Sequence, residues 1–198
     1  MKVIIIAGLG LLSIMLIVLT RMGLFSKNPI VEKKVGPLLL AYVKHVGDYK
    51  NVGSKMDSLF WDLTDNYGIE TTKGFGLYYD KPSEVETEKL RSIAGCILEH
   101  VAPDDLLRIK QKYCVAEFPE SQSVVAEFPY RGKLSILLGM LKTYPRLHAY
   151  IQDNGHSSAP IMEIYDQPNE KIEYISPLGV SDLVFSEFLN TISHADWF

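Results

Sequence analysis

The chain has 198 residues, 47% of them hydrophobic, with a formal net charge of −4 and two cysteines. That length buries one sizeable core without needing two independent domains, and two cysteines are too few for a disulfide framework. Five of the 20 basic residues and one of the 24 acidic ones precede Val35, leaving 15 against 23 in the body, a net of −8 that repels nucleic-acid phosphates.

The first element is an uncharged apolar run, residues 3–20, which begins at Val3, ends at Thr20 and is bounded by Lys2 and Arg21. At about 1.5 Å of rise per residue it reaches roughly 27 Å as a helix, close to the hydrocarbon thickness of a thin bilayer. A transmembrane signal anchor is therefore expected over residues 3–25, with the lipid bilayer as partner. A cleavable signal has a shorter apolar region and small residues at the cut site, whereas Arg21, Met22, Gly23, Leu24 and Phe25 follow here. The C-terminal flank carries Arg21, Lys27, Lys33 and Lys34 against Lys2, so the body is expected to face the cytosol. Residues 26–36, with Pro29 and mixed charge, read as a linker.

Beyond the linker the chain repeats itself. Tyr79-Asp80-x-Pro82 recurs as Tyr165-Asp166-x-Pro168, each preceded by Gly68 or Gly155, and earlier by Gly47 or Gly132. In the first copy, residues 37–46 are apolar and β-rich; a helix follows in which Val52, Met56, Leu59, Phe60, Leu63 and Tyr67 share one face, with Ser54 and Asp57 spaced as a capping box. Strands are expected over 74–79 and 92–98. A connecting helix over 103–113 opens on Pro103, Asp104 and Asp105 and closes on Arg108, Lys110 and Lys112, as a helix dipole prefers.

The second copy supplies a strand over 123–128, then a helix marked by Leu134, Leu137, Leu138 and Leu141. Pro145 is expected to break or kink that helix, after which Leu147, Tyr150 and Ile151 continue the stripe toward Gly155. Strands follow over 160–165 and 171–178. A C-terminal amphipathic helix within 179–198 starts at Ser181 or Asp182 and stripes Val184, Phe185, Phe188, Leu189 and Ile192. The expected class is α+β: a transmembrane helix, then a domain over 37–178 made of two strand-helix-strand-strand repeats, 37–100 and 122–178. Their antiparallel sheets share a cleft where they meet.

This doubled unit, with Phe128-Pro129-Tyr130, Leu134-Ser135-Ile136, Glu163-Ile164-Tyr165 and Ser176-Pro177-Leu178, resembles the GyrI-like ligand-binding domain. More narrowly, Tyr78-Tyr79-Asp80-x-Pro82, Cys96-Ile97-Leu98 and Val124-Val125-x-x-Phe128-Pro129-Tyr130 are similar to the testis-expressed protein 264 family. The resemblance implies a protein of the endoplasmic-reticulum membrane with a cytosolic domain. It further implies a receptor for selective autophagy of that membrane that engages ubiquitin-like modifiers and serves as an adaptor for an AAA-type unfoldase. Receptors of that family end in a long acidic tail bearing an aromatic-x-x-aliphatic motif, which adds as a strand to the modifier. The sequence ends at Phe198 without one and reads as shortened. Phe60-x-x-Leu63, beside Asp57 and Asp62, fits the letters of that motif, but both residues also lie on the apolar helical stripe and read as core.

The resemblance also implies a cleft in which an acidic side chain ringed by aromatics receives cationic or aromatic small molecules. The matching place is Glu163. Alternation puts Ile161, Glu163 and Tyr165 on one face and Ile172, Tyr174 and Ser176 on one face of the next strand. Glu163, Tyr165, Tyr174 and Tyr79 are the cleft candidates; a solvated Glu163 and packing tyrosines are the competing reading. No cofactor or metal is expected, because His45, His100, His148, His156 and His194 lack ligand spacing, and neither G-x-S-x-G nor H-E-x-x-H occurs. The alternative function is a small-molecule-binding protein, a hydrolase or a haem carrier using the same cleft, a hydrolase having Glu163 as general base beside Tyr165 or Tyr174.

Overall fold

Alternation along the strands divides the interior into cores on the two faces of one sheet. In a computed structural model describing residues 2–191, with side chains described from residue 6, the elements in chain order are as follows. Helix α1 (Lys2–Arg21) precedes strands β1 (Ile30–Val35) and β2 (Leu38–Val46), then α2 (Val52–Tyr67), β3 (Lys73–Tyr78), β4 (Arg91–Ile97) and α3 (Pro103–Lys110). The second half comprises β5 (Cys114–Phe118), β6 (Ser121–Pro129), α4 (Lys133–Asp153), β7 (Ile161–Asp166), β8 (Lys171–Pro177) and α5 (Asp182–Asn190).

The strands form one curled, eight-stranded sheet in the order β1-β6-β8-β7-β3-β4-β2-β5, antiparallel at every pairing. The two repeats are visible in that order, β6-β8-β7 against β2-β4-β3, and they join where β7 pairs with β3. On one face Leu40, Tyr42, Phe75, Leu77, Met162 and Ile164 pack together, closed over by Phe185 and Phe188 of α5. Their strand neighbours point the other way: Ala41 packs with Leu59 and Leu63 of α2, and Ile161 and Tyr165 share a cluster with Leu147 and Ile151 of α4.

The helices follow their apolar stripes. Gly68 ends α2 in the left-handed conformation, with φ 66°, and its N–H donates to the Leu63 carbonyl. The capping box does not form: a short 3-10 turn over Tyr49–Asn51 leads straight into α2, and the Ser54 hydroxyl donates to the Asn51 carbonyl at 2.8 Å instead. Helix α4 runs unbroken through Pro145, with Thr143, Leu147 and Ile151 buried on its sheet side around that residue. In α5 the Ser181 side chain caps the Leu183 N–H at 3.2 Å. Ile192 lies outside the described residues.

The transmembrane expectation is corrected: among the described residues no helix is long and apolar enough to cross a membrane, and α1 is not a transmembrane helix.

Residues 30–35, read as part of a linker, instead pair with β6 from Ile30↔Ala126 to Val35↔Ser121. A strap between α1 and β1 lies across α4. The Lys142 ammonium donates to the carbonyls of Gly23, Leu24 and Ser26, and Arg146 donates to those of Lys27 and Asn28. Asn28 is buried there, and its amide donates to the Thr143 hydroxyl at 3.2 Å.

Candidate ligand-binding cleft

The junction of the repeats sets the floor of the cleft. Register pairs Glu163 of β7 with Gly76 of β3 on one side and with Tyr174 of β8 on the other. Directly opposed residues share a sheet face, so Tyr78, Gly76 and Gly74 face the helices together with Ile161, Glu163 and Tyr165. Helix α4 crosses above and lowers Tyr144 onto the carboxylate.

Glu163 is 1% exposed. The Tyr144 hydroxyl donates to its Oε1 at 2.6 Å, and the Tyr165 hydroxyl donates to its Oε2. Tyr78 is hydrogen-bonded in turn to Tyr165. Burial raises the Glu163 carboxyl above the usual glutamate range, and the two phenol bonds pull it part of the way back. The same burial, with the carboxylate close by, pushes Tyr78, Tyr144, Tyr165 and Tyr174 upward, so all four phenols are neutral near pH 7. Among the described residues no cationic side chain is set against Glu163.

The cleft above this floor has a volume of about 1390 Å³. Met56, Phe60 and Trp61 of α2 form one wall, and Ile136, Leu137, Met140, Tyr144 and His148 of α4 form the other. The depth beside Glu163 depends on Gly76, where a Cβ would stand 2.8 Å from the Tyr78 hydroxyl.

The structure brings together Glu163 and Tyr165 as the sequence proposed. Tyr174 is fully buried beside Glu163, its ring edge-on to Tyr144 with centroids 5.6 Å apart, and its hydroxyl has no hydrogen-bond partner among the described residues. Tyr79 lines the cleft margin, but its hydroxyl turns away and donates to the Phe185 carbonyl at 2.9 Å. Phe60 stands half-buried on the wall, and Leu63 is 0% exposed beneath α2. The Thr20 hydroxyl donates to the Leu16 carbonyl within α1, and the Val3 side chain lies outside the described residues. Among the described residues no three His, Cys, Asp or Glu side chains are grouped to hold a metal ion.

Sequence reasoning missed Tyr78, Tyr144 and Gly76. Aligning Tyr79-Asp80 with Tyr165-Asp166 selected the wrong tyrosine by one residue, which on a strand means the wrong face. The two aspartates serve different turns: Asp80 Oδ2 accepts the Arg91 N–H, whereas Asp166 Oδ1 accepts the Asn169 N–H. Tyr144 carries no local signal, because only the packing of α4 across β6 and β8 brings it to Glu163.

The model of the GyrI-like small molecule binding domain matches residues 29–178, three-quarters of the chain and the whole of the cleft. This chain belongs to the GyrI-like family. Its match to the testis-expressed protein 264 homolog of Mus musculus is 34% identical over 149 residues, 72% of this chain and 45% of the relative. Testis-expressed protein 264 of Homo sapiens is 33% identical over 147 residues, 71% and 44%. The GyrI-like chain thus spans less than half the length of these curated relatives. Among solved structures, the EcmrR C-terminal domain superposes with a TM-score of 0.57 at 13% identity, covering 78% of this chain and 99% of that one. SAV2435 bound to tetraphenylphosphonium gives 0.52 at 13%, covering 76% and 93%. A hydrolase from Listeria innocua gives 0.51 at 13%, covering 77% and 93%. At these identities the likeness is one of fold.

Proposed function

We propose that the GyrI-like cleft binds an organic cation with an apolar body, holding its charge against Glu163. The observation that carries this reading is a buried carboxylate with phenol donors but no cationic partner among the described residues. A carboxylate so placed is costly until a cation neutralises it, and tyrosine faces around it add cation–π attraction. The family's small-molecule role and a relative of the same fold carrying tetraphenylphosphonium support it. Calorimetric titration with tetraphenylphosphonium tests it: saturable one-to-one binding is expected, weakened at least tenfold by Glu163→Gln. Equal affinity in the two proteins, or no binding to either, overturns it.

An adaptor role at the endoplasmic reticulum, with ubiquitin-like autophagy modifiers and an AAA-type unfoldase as partners, is a second reading. It is supported by the kinship to testis-expressed protein 264 over 149 residues. Any modifier contact through Phe60-x-x-Leu63 requires α2 to unwind, since Leu63 is buried in it. Pull-down with such modifiers, comparing the full chain with Phe60→Ala, tests the motif; capture that Phe60→Ala does not reduce removes it.

A further inference from the structure

Helix α4 is held differently on its two sides. Toward the cleft it faces open volume and presents Tyr144, whose hydroxyl donates to Glu163 Oε1 at 2.6 Å. Lys142 and Arg146 each stand two residues from Tyr144, about 200° around a helix of 3.6 residues per turn, so they leave α4 on the side away from the cleft. There the strap grips them. The Lys142 ammonium donates to the carbonyls of Gly23, Leu24 and Ser26 at 3.2, 2.5 and 2.9 Å, and Arg146 Nη1 donates to those of Lys27 and Asn28 at 2.7 and 3.0 Å. Between them Thr143, buried on the sheet side, accepts from the Asn28 amide at 3.2 Å. Five of the six carbonyls from Gly23 to Asn28 are thus bound to one short stretch of α4.

Strap and helix also share a seat. A Cβ on Gly23 would stand 2.7 Å from the Phe128 ring, and one on Gly139 would stand 3.1 Å from the same ring. The Lys142 ammonium lies 5.9 Å from that ring's centroid. Because neither glycine carries a side chain, both backbones bear directly on one phenylalanine of β6. At its other end the strap is continuous with α1: the Gly23 N–H donates to the Thr20 carbonyl at 3.1 Å and the Leu24 N–H to the Leu19 carbonyl at 2.9 Å.

We infer that the strap is the positioning element for Tyr144: by clasping α4 at Lys142, Thr143 and Arg146 it holds the Tyr144 hydroxyl on Glu163, and so couples the cleft floor to α1. With the strap clasped, the carboxylate has two phenol donors. With it released, α4 rises into the open side and Tyr165 alone remains. The coupling is reciprocal, so the bond at the floor also steadies the strap. It does not depend on what the cleft binds.

The test follows the Glu163 carboxyl titration in the full chain by carbon NMR, assigned by difference from Glu163→Gln. The groups facing that carboxyl are the phenols Tyr78 of β3, Tyr144 of α4, Tyr165 of β7 and Tyr174 of β8, and its two phenol bonds lower its pKa, so loss of one raises the midpoint. Tyr144→Phe is expected to raise it. Lys142→Met and the uncharged Thr143→Val should move it the same way by at least half as much, and Lys142→Arg, which keeps a donor, should stay near the parent value. In the Tyr144→Phe background Lys142→Met should add nothing. Reciprocally, hydrogen exchange over residues 22–28 should quicken in Tyr144→Phe. A midpoint unchanged in Lys142→Met and Thr143→Val while the strap exchanges faster overturns the inference. So does a Lys142→Met shift that adds fully to that of Tyr144→Phe, the mark of a lost distant charge. Should Lys142→Met fail to fold, Thr143→Val and strap exchange in Tyr144→Phe decide, and no change in either overturns it.

Discussion

Glu163 lies directly across the β7–β3 pairing from Gly76, at the strand junction where the two repeats meet. The room left by the missing side chain is taken by the Tyr78 phenol, whose hydroxyl would stand 2.8 Å and two of whose ring carbons 2.9 Å from a Cβ there. Gly76 thus lets a phenol lie close beside the carboxylate.

Gly76→Ala is therefore expected to cost binding more than folding. The new Cβ would stand 2.8 Å from the Tyr78 hydroxyl and 2.9 Å from two of its ring carbons, so the phenol beside Glu163 must shift. Overpacking of this kind costs about 1–3 kcal/mol. Urea unfolding should report that loss, and calorimetry a tetraphenylphosphonium affinity reduced at least tenfold.

Stability should respond to pH through Glu163. Its folded-state pKa stands above the ordinary value of 4.5, with burial as the first cause. A carboxyl of this kind contributes fully below the unfolded value, where both states are protonated, and the contribution is lost as pH rises through the folded value. Glu163→Gln has no such loss. Its stability relative to the parent chain should grow from pH 4.5 upward, measured as the difference in urea midpoints; a constant difference across that range contradicts the assignment.

Asp80 has the opposite sign. Arg91 donates to its carboxylate through Nε at 3.0 Å and Nη2 at 2.7 Å, and the Arg91 N–H adds a third bond at 2.7 Å. The guanidinium holds Asp80 below the ordinary 3.8, so its contribution is present above that pH and is lost as pH falls through the depressed value. With Arg91 half exposed to solvent, Asp80→Asn is expected to cost only about 1–2 kcal/mol near neutrality. Thermal melts at pH 7 and pH 2.5 should show that difference shrinking in acid.

Lys142 ties the strap to the helix that carries Tyr144. Three carbonyls, those of Gly23, Leu24 and Ser26, share its ammonium, and they lie just past the negative end of α1. Lys142→Ala leaves them without this donor. Hydrogen exchange should accelerate over residues 22–28 and the last turn of α1, with little change in β7; exchange unchanged there would contradict the clasp.

Much of the fold was legible because it is encoded in local repetition. Helix α2 was marked by its apolar stripe, and the strands of both repeats by alternation between turn residues. Gly68 and Gly155, the landmarks before each copy of the Tyr-Asp-x-Pro signature, both sit at positive φ, 66° and 69°, where a side chain is strained. The repeat in the sequence is thus a repeat in turn chemistry. Strands β1 and β5 were not legible as strands: each is short and mixed in exposure, and each is held by one neighbour at a sheet edge.

By itself the sequence determined two α+β repeats, a strand face shared by Glu163 and Tyr165, and an acidic body, because side-chain periodicity and charge are properties of neighbours along the chain. Only the tertiary structure decided that Gly76 stands opposite Glu163, that Tyr78 lies on the Glu163 side while the Tyr79 hydroxyl turns to Phe185, and that α4 delivers Tyr144 to the carboxylate. Those relations depend on register between strands far apart in sequence, and a shift of one residue in register reverses every face while leaving the local pattern unchanged.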